Sequence, residues 1–376
     1  MRIEHLPTPA AVVDVSKLKR NITRMQSHVD AHGVQFRPHV KTTKCLEIAR
    51  MQQAAGARGI TVSTLKEAEE FFAAGFKDIL YAVGIIPTKL EQALALCLRG
   101  CQLKLITDNA EIAAAIRRFG QGHGHRFEVL IEIDSDGHRS GIAPETHELI
   151  EVARVLVEGG SELAGVLTHA GSSYDLNTPS ALTLLAEQER FACVRAAERL
   201  RERGWPCPIV SVGSTPTALS AQALPGVTEV RAGVYVFFDL VMANVGVCAP
   251  EDIALSVLAT VIGHQVEKGW ALVDAGWMAM SRDRGTQHQQ KDYGYGQVCS
   301  QDGSPMNGYT MSSANQEHGI VSRSESVDTD IVKRFPLGTQ LRILPNHACA
   351  TGAQFPRYEA VLADGSVRTW PRFSGW

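Results

Sequence analysis

The sequence has no CxxC pair, no basic tract, no GxGxxG turn after its first strand-like run and no apolar stretch fit to cross a bilayer. Each absence removes a class of protein. The eight cysteines, Cys45, Cys97, Cys101, Cys193, Cys207, Cys248, Cys299 and Cys349, are scattered as reduced thiols of a cytoplasmic chain are, without the spacing of a disulfide framework. Lysine plus arginine number 37 against 40 aspartates and glutamates, a formal charge of −3, so nothing here provides the electrostatic footprint that nucleic acid or an anionic membrane requires. The longest uncharged stretch, Gly204 to Thr228, holds Pro206, Pro208, Pro216 and Pro225 and cannot be a spanning helix. The N-terminal MRIEHLPTPA has no apolar core behind a basic start, so no secretory signal is expected. What remains is a folded chain of 376 residues, 44% apolar and 20% charged, whose partner is a small molecule and whose length suits one large and one smaller domain.

Short runs rich in Val, Ile and Leu recur, each followed by helical periodicity, the alternation that predicts parallel strands joined by crossover helices. They are 34–40, 59–64, 78–83, 102–108, 127–134, 163–170, 208–214 and 230–238. Eight such runs match a closed (β/α)8 TIM barrel, and polar residues collect at their C-terminal ends, where barrels carry their chemistry. An open doubly wound sheet is the second choice. Beyond Asp239 the helical alternation stops, and 253–263, 270–276, 340–345 and 358–365 read as strands of an antiparallel β domain. The reading therefore assigns 16–245 to the barrel and 246–376 to the β domain, with residues 1–15 supplying a strand, AAVVDV, to the latter.

Three constellations carry chemistry. In Arg37-Pro38-His39-Val40-Lys41 the lysine falls just past the first barrel run, where it can form a Schiff base with an aldehyde cofactor. A solvated surface lysine is the plain alternative, and Lys44 competes for the role. In Gly213-Ser214-Thr215, straight after the seventh run, a glycine and two hydroxyls make either a phosphate cradle or an N-capped turn. Gly233 and Tyr235 on the last run are weaker candidates to complete it. In His347-Ala348-Cys349 an extended strand would turn imidazole and thiolate to one face and onto one metal ion. About 0.3 His-x-Cys pairs are expected by chance from 13 His and 8 Cys, so spacing alone argues weakly for a metal. Two protein ligands leave open positions, which is what a Lewis acid needs. Zinc suits a thiolate, while an open site also admits manganese, cobalt or magnesium.

With these residues in view, the sequence resembles the fold-type III pyridoxal-phosphate enzymes, the alanine-racemase-like architecture, and within it the D-serine dehydratase and D-threonine aldolase family. The resemblance runs nearly end to end, through TPAAVVDV, RPHVKTTK, EIDSDGHRSG, THAGSSY, VSVGSTPT, EVRAGVYVFFDLV, VDAGWMAMSRDRG, NQEHG and PNHACATGAQFP. It implies that Lys41 holds pyridoxal 5'-phosphate, that Gly213, Ser214, Thr215, Gly233 and Tyr235 surround the phosphate, and that Arg139 approaches the phenolic oxygen and Tyr174 the ring nitrogen. It also implies that His347 and Cys349 hold a divalent metal and that the chain is a homodimer. The implied activity is dehydration of a D-3-hydroxy amino acid, 3-hydroxyaspartate giving oxaloacetate and ammonia, or D-serine giving pyruvate and ammonia. A D-threonine aldolase uses similar parts, but tends to have an aspartate where Cys349 stands. A racemase has no use for the metal pair, and a non-catalytic pyridoxal-phosphate homeostasis protein lacks the β domain. For a second substrate carboxylate, Arg282 and Arg284 are the candidates.

Overall fold

The computed structural model describes residues 2–324 and 326–376, and the chain divides into two compact units. The first contains the residues up to Thr23, Thr42–Glu47 and Val234–Ser374; the second contains Arg24–Lys41, Ile48–Gly233 and the last two residues. Strand β1 (Ala10–Asp14) falls in the first unit.

The second unit is the expected barrel. Its strands are β2 (Gln35–Pro38), β3 (Ile60–Val62), β4 (Asp78–Gly84), β5 (Gln102–Thr107), β6 (Glu128–Ile133), β7 (Glu162–Thr168), β8 (Ile209–Val212) and β9 (Glu229–Ala232). They are all parallel, in the order β2-β9-β8-β7-β6-β5-β4-β3, and the bridge between His39 and Thr61 closes the ring. Each apolar run of the sequence holds one of these strands, but the last run was read too long: after Ala232 the chain turns into a 3-10 segment, Val234–Val236. Local sequence sets the helix starts. Thr64 caps Leu65–Ala73 by accepting from the Glu67 amide, and Asn109 caps Ala110–His123 through two amides, satisfying donors that a first turn leaves unpaired.

The barrel interior is only partly apolar. Leu80, Ile106, Leu130, Ala164 and Leu167 pack together, but a polar chain, buried at Arg37, Glu229, Ser211 and Arg231, also links the strands. Lys104 Nζ donates to Asp78 Oδ1 at 2.9 Å, Asp78 Oδ2 accepts from Arg37 Nη2 at 2.9 Å, and Arg37 Nε donates to Glu229 Oε2 at 2.6 Å. Ser211 Oγ then donates to Glu229 Oε1 at 2.7 Å and accepts from Arg231 Nη1 at 2.5 Å. Burial opposes the charge on Arg37, but Glu229 and Asp78 outweigh it and hold the guanidinium more firmly protonated than usual. Buried charges persist only when paired in this way.

The first unit is a β structure with its own closure. Strands β10 (Leu255–Gln265), β11 (Trp270–Val273), β12 (Gln297–Cys299), β13 (Pro305–Ala314), β14 (Gly319–Arg323) and β15 (Gln340–Leu344) form the ring β10-β11-β14-β13-β12-β15, which returns to β10. Val257, Val261, Val273, Val298, Met311 and Ile343 belong to its core. The sheet continues from β10 through β1 to β16 (Arg357–Val361) and β17 (Val367–Pro371). One pairing departs from the antiparallel pattern: β1 runs parallel to β16.

Candidate active site

In the barrel unit, the ends of β2, β7 and β8 carry the candidate cofactor groups. Lys41 stands in a single 3-10 turn, Val40–Thr42, just past β2, and is exposed. Lys44 falls in the other unit, on a left-handed backbone with φ 46, its carbonyl accepting from the Phe373 amide. That leaves Lys41 as the lysine at the barrel strand end. Two buried polar atoms close to the β2 end, His39 Nδ1 and Thr61 Oγ1, have no hydrogen-bond partner among the described residues. Burial first, then the positive charges of Lys41 and Arg231, hold His39 neutral, far below the usual imidazole range. His169, after β7, is pushed down to about 4, mainly by burial, while its Nδ1 lies 3.1 Å from the Gly213 carbonyl oxygen.

The loop after β8 is built by its own polar groups. Ser214 and Thr217 form a reciprocal capping box on the helix Thr215–Ser220, and Ser214 Oγ lies 2.9 Å from Ser173 Oγ. Gly213 has φ +132, and a Cβ there would sit 2.0 Å from the Arg231 carbonyl oxygen, so only glycine lets the chain pass. The sequence reading left this loop as either a phosphate cradle or an N-capped turn. Here the Gly213 amide donates to Glu189 Oε1 at 3.0 Å and the Ser214 amide to Thr217 Oγ1 at 3.0 Å. Glu189 Oε1 also accepts from the Ala170 amide at 2.9 Å, so one buried carboxylate ties the loop after β7 to the loop after β8. Burial raises its pKa, against the opposing hydrogen bonds from Thr217 and the two amides.

Glu189 was not singled out from sequence. The signal was present: in the helix Pro179–Arg201 it falls on the same buried stripe as Leu182, Leu185, Ala186, Ala192 and Cys193, where a charge needs an internal partner. Tyr174 sits beside His169 with ring centroids 6.2 Å apart. Arg139 is 57% exposed, with Nη2 3.4 Å from Glu132 Oε1. Gly233 ends the barrel unit, whereas Tyr235, fully buried, belongs to the other unit.

In that other unit, His347 and Cys349 are brought together, but not as neighbours on a strand. β15 ends at Leu344, His347 is the extended N-cap residue of the helix Ala348–Gly352, and Cys349 lies in that helix's first turn. Imidazole and thiol converge within hydrogen-bond distance because the chain turns between them. The turn is pinned from several sides. Asp239, fully buried, accepts from the Ala348 amide at 2.9 Å, and Thr351 Oγ1 donates to the Met280 carbonyl oxygen at 2.7 Å. Asn346 Nδ2 donates to the Gly294 carbonyl oxygen at 2.7 Å. His347 Nδ1 lies 2.5 Å from Asp283 Oδ2, and Cys349 Sγ donates to Thr42 Oγ1 at 3.3 Å. Burial would lower the His347 pKa, but Asp283 and Cys349 overcome it and push it up to about 11.

This donor set fits a divalent metal. Asp283 engages Nδ1 and so presents Nε2, the arrangement in which a carboxylate fixes the tautomer of a metal-binding imidazole. A thiol beside it suits zinc. Among the described residues no group of three or more His, Cys, Asp or Glu side chains is placed to hold a metal, so the pair alone would leave positions open. His347 is 42% exposed on its side chain, which admits a further ligand. The barrel unit fits an aldehyde cofactor on its own evidence: a lysine at a strand end, two orphaned polar atoms near it and a glycine that no side chain can replace.

Two family models match the chain: "Alanine racemase, N-terminal domain" over residues 13–241 and "Putative serine dehydratase domain" over residues 254–361. The chain is 66% identical over 373 residues to D-threo-3-hydroxyaspartate dehydratase of Delftia sp. (strain HT23), covering 99% of this chain and 98% of that protein. It is 32% identical over 384 residues to D-serine dehydratase of Dictyostelium discoideum, covering 97% and 96%. The solved structure of the Delftia enzyme superposes with a TM-score of 0.99 at 65% identity, covering all of both chains. A cysteine-to-alanine variant of that dehydratase, solved in the metal-free form, gives the same TM-score at 64% identity, again over the whole of both chains. The chain belongs to the fold-type III pyridoxal-phosphate enzymes of the D-serine dehydratase and D-threonine aldolase family.

Proposed function

We propose that the chain dehydrates D-threo-3-hydroxyaspartate, giving oxaloacetate and ammonia, with pyridoxal 5'-phosphate and a divalent metal as its cofactors. The observation that carries this reading is the His347–Cys349 pair with Asp283 locked on the imidazole, because a racemase on the same scaffold has no use for it. D-Serine, giving pyruvate and ammonia, is a second substrate supported by the similarity to the Dictyostelium enzyme.

Lys41 would hold the pyridoxal group through Nζ. Gly213, Ser214, Thr215 and Gly233 would face its phosphate with Tyr235, while Arg139 would approach its phenolic oxygen and Tyr174 its ring nitrogen. When bound, the pyridoxal ring supplies an electron sink for the charge left by the α-proton, and the metal supplies a Lewis acid for the departing hydroxyl. The chain's own residues do the rest. Lys41 Nζ would accept the proton from the substrate's α-carbon. The neutral imidazoles of His39 and His169 add no competing positive charge beside it. His347 Nε2 and Cys349 Sγ would hold the metal, with Asp283 on Nδ1 keeping the ring from turning. Water leaves from Cα and Cβ, and hydrolysis of the resulting enamine returns one water and releases ammonia, so the net change is loss of ammonia from the amino acid.

Among the described residues no helix is long and apolar enough to cross a membrane. All eight cysteines are free thiols, which supports a cytoplasmic setting. A homodimer is the proposed working form, to be checked by sedimentation. Product analysis tests the function: with D-threo-3-hydroxyaspartate, oxaloacetate and ammonia are expected, whereas glycine and glyoxylate would make the protein an aldolase.

A further inference from the structure

3-Hydroxyaspartate carries its second carboxylate on the same carbon as its hydroxyl. A group that grips this carboxylate must therefore stand beside whatever holds the hydroxyl. On the reading above, that is the metal held by His347 and Cys349. The segment bordering the pair is Ser281–Gly285, since Asp283 reaches His347 Nδ1, and it carries an arginine on either side of Asp283.

The two arginines are not equivalent. Arg284 is already committed: Nη2 donates to Asp292 Oδ2 at 2.7 Å, Nε donates to the Gly294 carbonyl oxygen at 3.3 Å, and the guanidinium lies over the Tyr295 ring. Arg282 is exposed, its guanidinium carbon 4.1 Å from the centroid of the Trp277 ring. Among the described residues no carboxylate lies within ion-pair distance of it. Stacking occupies the face of a guanidinium and leaves its edge, where the N–H donors point, open to a carboxylate. Trp277 is itself anchored, its amide donating to the Asn315 carbonyl oxygen at 2.9 Å. The turn that presents both residues is held in an unfavourable shape: Ser281 has φ 71 and ψ 166, a region nearly reserved for glycine, and its Oγ accepts from the Asp283 amide at 3.1 Å.

We propose that Arg282 is the residue that selects a dicarboxylic substrate, its edge pairing with the second carboxylate of D-threo-3-hydroxyaspartate, while Arg284 braces the turn. The proposal rests on the dehydratase reading for where the hydroxyl goes. Its test is calorimetric binding of D-aspartate, which has the second carboxylate but no hydroxyl to lose, against D-alanine, which has neither, to the holoenzyme. The native protein should prefer D-aspartate. Arg282→Met should cut that preference roughly ten- to a hundredfold, Arg282→Lys should restore part of it, and KM for D-threo-3-hydroxyaspartate should rise more than kcat falls. A preference unmoved by Arg282→Met, or one that collapses in Arg284→Met instead, overturns the proposal. Failure of the dehydratase reading would show separately, as native protein that forms no oxaloacetate from D-threo-3-hydroxyaspartate.

Discussion

On the proposed function, the barrel and the β unit each prepare a place for a non-protein group, by opposite means. In the barrel the parts come from far apart in the sequence, Lys41, His169 and Gly213, and the loops after β7 and β8 are tied together by one buried carboxylate, Glu189. In the β unit the parts are two residues apart, and what is distant is the support: Asp283, Asp239 and Thr42 arrive from three other segments to aim them. A parallel barrel gathers remote strand ends as a consequence of its topology. A strand-to-helix turn has no such built-in convergence and depends on side chains to hold it.

That contrast predicts a double dissociation, the largest effect expected. Cys349→Ala should remove bound metal, measured by atomic emission, and lower turnover by about a thousandfold, since a Lewis acid is worth several kcal/mol, while the cofactor's visible absorbance persists. Lys41→Ala should abolish the absorbance band of lysine-bound cofactor and leave the metal content intact. Either variant losing both groups would break the comparison. Asp283→Ala should weaken metal affinity about ten- to a hundredfold, read by competition with a chelating dye, without moving cofactor affinity. Glu189→Leu should do the reverse. It strands two buried amides, at about 1–3 kcal/mol each, and should lower cofactor affinity about tenfold, measured by titrating cofactor-free protein. Glu189→Gln keeps one oxygen for both amides and should lose less.

The barrel was legible because eight apolar runs followed by amphipathic segments leave few topologies, and the lysine because it ends the first of them. Strands β12, β13 and β14 were not legible: Pro305–Ala314 is half polar, with only Tyr309 and Met311 buried among its middle residues, so it carries little apolar signal of its own. The His-x-Cys pair was found for an incorrect geometric reason. An extended strand was expected, and the convergence comes instead from an N-cap turn in which His347 meets Asp283, 64 residues away in sequence, and Cys349 meets Thr42, 307 residues away. Glu189 was missed because a glutamate in a helix is ordinarily solvated, and only its phase on the apolar stripe marked it.

The smallest effect separates the units by pH. In the cofactor-free protein His169 is held down to about 4 by burial, against about 6.5 for an unfolded imidazole. As pH falls through 6.5 the unfolded chain takes the proton first, so this contribution is complete above that value and is lost on the way down to 4. The full difference is about 3 kcal/mol, and less where solvent reaches the ring. His169→Asn should therefore flatten the loss of stability between pH 6.5 and 4, measured by urea unfolding, by about 1–3 kcal/mol. An acid limb between pH 6.5 and 4 as steep in the variant as in the native protein would assign it instead to the other buried imidazole, His39, which burial also holds neutral, because carboxylates such as Asp78, lowered from the usual range, give up their contribution only at lower pH.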